Sequence, residues 1–144
     1  MVPRAVASAL DTVFGVGKVP HALRGVLLDF RWELERLLAL DLPLEEVTVL
    51  DLVRLLDLPF WREDGEMFVL TPNQVRARPD EHVEQWSRTL RADLDSPVHI
   101  TERHGRWVIL DGVHRLLKAT VVGRDTIPAR RVPESMLPLI AAAR

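Results

Sequence analysis

The chain has 144 residues, of which 47% are hydrophobic and 28% charged, and its formal net charge is −2. This size and balance predict a folded domain with a real core, and they exclude wholesale disorder and a general attraction to nucleic acid or anionic membranes. The absence of cysteine excludes disulfides, thiolate metal sites and cysteine nucleophiles. No run of about 18 apolar residues and no secretory signal occurs, so we expect a cytoplasmic protein without membrane contact.

The first part of the chain has a helical pattern. Between residues 24 and 40, five apolar side chains recur at spacings of three and four and predict one amphipathic helix: Leu27, Phe30, Leu34, Leu37 and Leu38. A short strand at 47–49 and a short helix at 50–56 are predicted next. We therefore expect residues 1–66 to form a helical extension that packs on the rest of the chain, or on a second copy in a homodimer.

From Met67 onward the pattern alternates between strands and helices. A strand over 67–70 leads into Thr71-Pro72, which suits an N-cap followed by the first helical position. The later predicted elements are a helix over 81–94 capped near Asp80, strands over 98–101 and 107–110 joined at His104-Gly105, a helix over 113–122 stopped by Gly123, and a strand over 126–132. This order predicts a small α+β domain with a mixed sheet over residues 67–144.

A strand that runs through Asp111-Gly112 straight into a helix has the form of a phosphate site. The turn places free backbone N–H groups beside the positive helix end. Gly112 permits close backbone approach, Arg115 can fork onto phosphate oxygens, and His114 can donate a hydrogen bond. Lys118 lies one turn after His114 and adds charge. The alternative is that Asp111 only caps the helix, while His114 and Arg115 point into solvent.

The charge around this turn is locally positive. Residues 101–131 contain seven Lys and Arg against three Asp and Glu, an excess of +4. The whole chain is nevertheless negative and shows no interleaving of aromatic and basic residues, so we do not expect a nucleic-acid partner. The five histidines are scattered without a metal-ligand spacing, and no metal site of the protein's own is assigned.

The stretch from Trp107 to Ala119, WVILDGVHRLLKA, resembles the signature motif of the ParB/sulfiredoxin superfamily. Residues 96–100 and 123–132 resemble the strands around that motif, so the resemblance extends over about residues 67–132. It implies a small mixed-sheet domain that binds a nucleotide. Which function it performs depends on the motif residues.

Three functions occur in that superfamily. Sulfiredoxins carry a catalytic cysteine where this chain has Val113, which excludes their reductase chemistry. ParB proteins bind CTP through a Gly-Glu-Arg-Arg box and continue into a DNA-binding module. The present box differs, and the dozen residues after Val132 predict that no such module is present. The third group, free serine kinases that use ADP or ATP, has an Asp-Gly-x-His-Arg motif.

Resemblance to these kinases implies roles for individual residues. Glu81 is the general base for a small hydroxyl substrate, Asp111 a second base or metal-associated carboxylate, and His114 a catalytic residue. The residues assigned to nucleotide phosphates are Gly112, Val113, His114, Arg115 and Lys118. The cofactor implied is ATP, ADP or CTP, with Mg²⁺ arriving on the nucleotide. The alternative is a nucleotide-responsive interaction module without catalysis, in which Glu81 only complements a helix dipole.

Overall fold

Five α-helices and six β-strands lie in the part of the chain that the computed structural model describes, residues 9–14 and 18–143. The helices are α1 (Ala9–Phe14), α2 (Leu34–Leu38), α3 (Pro72–Ala77), α4 (Val83–Arg91) and α5 (Val113–Val122). The strands are β1 (Leu44–Thr48), β2 (Trp61–Glu63), β3 (Glu66–Leu70), β4 (Val98–Arg103), β5 (Arg106–Asp111) and β6 (Thr126–Arg131). None of the described helices has the length and apolar character needed to cross a membrane.

Four strands form a mixed sheet in the order β1-β6-β4-β5, and β2 pairs with β3 in a separate hairpin. Strand β6 is antiparallel to β1 and parallel to β4, while β4 and β5 form the predicted hairpin. Its two turn residues, His104 and Gly105, have φ of 52° and 75°, the positive values that a tight hairpin turn requires. The small α+β fold predicted from the sequence is therefore confirmed.

Helix α5 packs its apolar face on the sheet. Leu116, Leu117 and Ala119 are fully buried, in one cluster with Ile100 of β4 and Ile127 of β6. Gly123, in the left-handed region, ends the helix as predicted. The start predicted for α3 is also confirmed.

At the start of α3, the two side chains of a capping box bond to each other's backbone. Thr71 Oγ1 accepts from the Gln74 N–H at 3.0 Å, and Gln74 Oε1 accepts from the Thr71 N–H at 2.8 Å. This arrangement satisfies two backbone donors that the first helical turn leaves without intrahelical partners.

The long helix predicted over residues 24–40 is wrong, since only Leu34–Leu38 is α-helical there. The preceding residues turn and pair with the C-terminal segment: Glu33 N–H donates to Ile140 C=O, and Ala142 N–H donates to Arg31 C=O. Consequently Phe30 and Leu37 pack in one cluster and Leu27 in another, while Leu34 and Leu38 are exposed. The helix predicted at 50–56 is likewise replaced by two 3-10 turns, Val49–Asp51 and Val53–Asp57.

The predicted separation of a helical extension, 1–66, from a domain, 67–144, is also wrong. Strand β1 is part of the main sheet, and β2 pairs with β3, which itself begins at Glu66. Leu52, Leu55 and Trp61 belong to the same core cluster as Leu116. One core therefore spans the proposed boundary. Residues 1–8 and 15–17 of the predicted extension lie outside the described residues.

Helix α4 begins later than predicted, and its inner side differs in part from the predicted one. Asp80 and Glu81 lie in a preceding 3-10 turn, and α4 itself starts at Val83. The apolar residues at helical spacing, Val83, Trp86, Leu90 and Leu94, predict the inner side. Trp86 and Leu94 do pack partly buried against the core, but Val83 and Leu90 are exposed, and the buried residues of α4 are the polar Gln85 and Thr89. Gln85 bonds to His114 on α5.

Candidate functional site

The turn between β5 and α5 has a conformation that only glycine adopts without strain. Gly112 has φ of 111°, and a Cβ atom there would lie 2.6 Å from Val98 Cγ1. The missing side chain lets the turn lie directly against the start of β4. No side chain caps α5, so the N–H groups of its first turn, from Val113 onward, remain available to a ligand.

Two cavities meet at this turn. A polar cavity of about 240 Å³ is lined by Arg88, Ala92, Asp93, Ser96, Asp111, Gly112, His114 and Arg115. An apolar cavity of about 270 Å³ is lined by Val26, Leu27, Leu28, Trp32, Phe60, Trp61, Ile109, Leu110, Asp111, Gly112, Val113 and His114. Asp111, Gly112 and His114 belong to both. A ligand with one charged and one flat apolar part matches this pair of surfaces.

Arg115 is positioned at the polar cavity by two acceptors. Its Nη1 donates to Pro97 C=O at 2.9 Å and lies 3.5 Å from Asp111 Oδ2. A guanidinium has five N–H donors, so these contacts leave several for a ligand. The prediction that Arg115 reaches a phosphate site from the first turn of α5 is compatible with this geometry. The alternative in which it points only into solvent is not what the structure shows.

Asp111 is held as a carboxylate. Its Oδ2 lies 3.6 Å from Nδ1 of His99, a buried nitrogen with no hydrogen-bond partner among the described residues. The His99 ring lowers the pKa of Asp111 below its ordinary value, burial opposes this effect, and the charge of Arg115 adds to the lowering. Asp111 is therefore ionised at neutral pH and is a weak base, better suited to orienting Arg115 than to taking a proton.

His114 forms the wall between the two cavities. Its ring stacks on Trp61 with centroids 4.4 Å apart and planes 15° apart, and its Nε2 lies 2.8 Å from Gln85 Oε1. Burial, with the charges of Arg88 and Arg115, lowers the pKa of His114 to about 4. The ring is neutral at pH 7, and in the tautomer that matches this contact its Nε2–H donates to Gln85. The side chain therefore adds no positive charge for a phosphate.

Lys118 has a structural role instead of the predicted phosphate contact. Its Nζ donates to Leu90 C=O at 2.8 Å and to Ala92 C=O at 2.6 Å, at the C-terminal end of α4. The carbonyls at a helix C-terminus are partly negative and attract an ammonium group. Lys118 lines neither cavity and holds α4 against α5.

Glu81 is not brought to the site. Its carboxylate lies 3.5 Å from Arg78 Nη1, its side chain is 58% exposed, and it lines neither cavity at Gly112. The prediction of a general base at this position is therefore wrong. Because α4 begins only at Val83, Glu81 belongs to the turn before the helix, where its carboxylate pairs with a neighbouring arginine.

Several residues that shape the site were missed by the sequence analysis: Trp61, Gln85, Arg88 and His99. Gln85 and Arg88 are three residues apart and share one side of α4. A polar side at that spacing within a helix is a usable signal, but the apolar stripe of α4 drew the prediction to a partly different side. No local signal connects Trp61 with His114, because their contact depends on the tertiary fold.

A larger cavity lies elsewhere and is a weaker candidate. This space of about 420 Å³ is lined by Asp29, Phe30, Glu102, Arg103, His104, Glu134, Leu137 and Pro138. Its three carboxylates, Asp29, Glu102 and Glu134, outnumber its one arginine, Arg103, so the charge of its lining disfavours an anion. Within residues 9–14 and 18–143, no three His, Cys, Asp or Glu side chains converge to hold a metal.

No protein-family model, curated protein or solved structure matches this chain.

Proposed function

We propose that this protein is a nucleotide-binding domain, with phosphates bound at the Gly112 turn and the base in the apolar cavity beside it. The observation that carries the proposal is the meeting of a polar and an aromatic-lined cavity at an uncapped helix N-terminus. The resemblance of residues 67–132 to the ParB/sulfiredoxin superfamily supports the same ligand. A nucleotide is also consistent with the cytoplasmic location expected from the sequence.

The polar cavity supplies the groups that phosphates require. The first-turn N–H groups of α5 and the remaining donors of Arg115 act as hydrogen-bond donors, and the exposed Arg88 supplies a second cation at the rim. Asp93 and Asp111 offset these charges. They are also the residues suited to hold Mg²⁺ that arrives with the phosphates, because magnesium in nucleotide sites takes one or two carboxylates together with phosphate oxygens.

The apolar cavity supplies a flat surface for a base. Trp32 and Phe60 line it as partly exposed rings, Trp61 is mostly buried, and the neutral His114 ring is stacked on one face of Trp61. Stacking of a base on aromatic side chains contributes about 1–3 kcal/mol and is tolerant of base identity. The choice between an adenine and a cytosine nucleotide therefore depends on the edge of the base, and the choice between ATP and ADP depends on the phosphates.

The geometry favours a binding module over a phosphotransferase. Glu81 is remote, His114 is a weak base with its Nε2–H directed to Gln85, and Asp111 is engaged with Arg115. Phosphate transfer to a small hydroxyl compound remains a second candidate because Asp111 borders both cavities. Nucleotide consumption in a pool of hydroxyl compounds distinguishes the two. Consumption that disappears in Asp111→Asn would establish the kinase.

A thermal-shift screen of ATP, ADP, CTP and GTP, with and without Mg²⁺, tests binding. A nucleotide at about 100 times its dissociation constant stabilises the folded state by about 2.7 kcal/mol. Arg88→Gln should weaken binding of that nucleotide about tenfold. Arg106→Gln, at the opposite end of β5, is the matched control and should bind as the wild type does. The proposal is wrong if no nucleotide shifts the melting temperature, or if both variants lose affinity equally.

A further inference from the structure

Helix α4 presents an apolar stripe to solvent. Val83 is 66% exposed and Leu90 is 51% exposed, and Ser87 lies between them on the same face. On the inner side Gln85 bonds to His114, and Trp86 packs partly buried against the core. The outward position of the stripe is thus built into the packing of α4. Two exposed branched apolar side chains in one row, with a small residue between them, form a surface suited to a facing helix.

Charges beside this stripe are arranged from one end to the other. Glu84 lies in the first turn of α4 and Arg91 in the last. At about 100° and about 1.5 Å per residue they lie on the same flank of the stripe, about 4.5 Å and about 6 Å on either side of Ser87. Among the described residues neither side chain belongs to an ion pair. The flank is therefore acidic at one end and basic at the other.

We propose that α4 is the contact surface of a homodimer in which the helices of two copies pack antiparallel, crossing at Ser87. A two-fold axis through this crossing puts Val83 of one protomer against Leu90 of its partner. It also puts Glu84 of each protomer beside Arg91 of the other, forming two equivalent ion pairs. A parallel two-fold arrangement would put the two charged flanks on opposite sides of the pair and would form neither ion pair. Charge complementarity therefore selects a second copy in the antiparallel orientation.

This surface differs from the N-terminal helices expected from the sequence to mediate a homodimer. One face of a nine-residue helix makes a small interface, so the dimer should be weak and dependent on concentration. The proposal does not depend on nucleotide binding.

Sedimentation equilibrium of the full chain over a concentration series tests the proposal. Leu90→Glu should raise the dimer dissociation constant about a hundredfold, because two-fold symmetry removes the contact at two equivalent positions of the interface. Leu50→Glu is the control, since Leu50 is 78% exposed in a turn outside α4 and its substitution should leave the dimer unchanged. Leu38→Glu on α2 tests the competing N-terminal surface.

Charge reversal gives a second, independent readout. Glu84→Arg alone or Arg91→Glu alone puts like charges together and should weaken the dimer, whereas the double reversal should restore it. Melting temperatures, measured alongside, separate loss of association from loss of folding. A wild type that stays monomeric at every concentration would overturn the proposal. So would a dimer that survives Leu90→Glu, is broken by Leu38→Glu, or is not restored by the double reversal.

Discussion

Acidification should destabilise this protein through His114. The folded ring has a pKa of about 4, against 6.5 for a free histidine. Above pH 6.5 neither state is protonated at this site. Between about pH 6.5 and about pH 4, His114 binds a proton in the unfolded chain but not in the folded protein. The free energy of unfolding therefore falls as the pH falls. Below that range His114 is protonated in both states, and the loss of stability through this residue is complete.

The full shift corresponds to about 3 kcal/mol at 1.36 kcal/mol per pH unit. The ring is only partly buried, and solvent screening reduces this to about 1–2 kcal/mol. Urea unfolding between about pH 7 and about pH 4 measures the change, and an NMR titration of the His114 ring gives its pKa directly. His114→Gln should flatten the acid limb of the stability profile. Arg88→Gln should raise the pKa of His114, because the Arg88 charge helps to lower it.

Two results would refute this reasoning. One is a His114 ring that titrates near 6.5 in the folded protein. The other is a His114→Gln variant whose stability depends on pH as strongly as that of the wild type. Either result would mean that the stacked, partly buried position between Trp61 and Gln85 does not exclude the charged ring.

Four further substitutions separate structural from binding roles. Gly112→Ala should lower the free energy of unfolding by about 2–5 kcal/mol, because it adds left-handed backbone strain and a clash with Val98. Gly123→Ala should lower it by only about 1 kcal/mol, because Gly123 has open space around it. Urea unfolding of the two variants measures the difference. Lys118→Met should cost about 1–2 kcal/mol by freeing the carbonyls of α4, and nucleotide affinity measured by titration calorimetry should be retained. Glu81→Gln should change the free energy of unfolding, and the stabilisation by nucleotide, by no more than about 0.5 kcal/mol, as measured from melting temperatures. Loss of the nucleotide-induced shift would restore Glu81 to the site.

Features that depend on neighbouring residues could be predicted from the sequence. The Thr71 cap, the hairpin at His104-Gly105, and the entry of β5 through Gly112 into α5 all follow from local backbone preferences. The ion pair between Arg115 and Asp111 also joins residues only four apart, across the turn from β5 to α5. The core of the candidate site is thus a local property of the chain.

Only the tertiary structure decided the rest. Strand β1 joins β6, and Arg130 donates to the carbonyl of Leu42, 88 positions away. The side of α4 that faces inward combines Gln85, which bonds to His114 on α5, with Trp86, so the apolar period of α4 alone does not fix it. Local pattern records which residues can share a face. It does not show which distant residue satisfies a buried polar group. Here such residues decide which side of α4 faces solvent, and Glu81 lies away from the site.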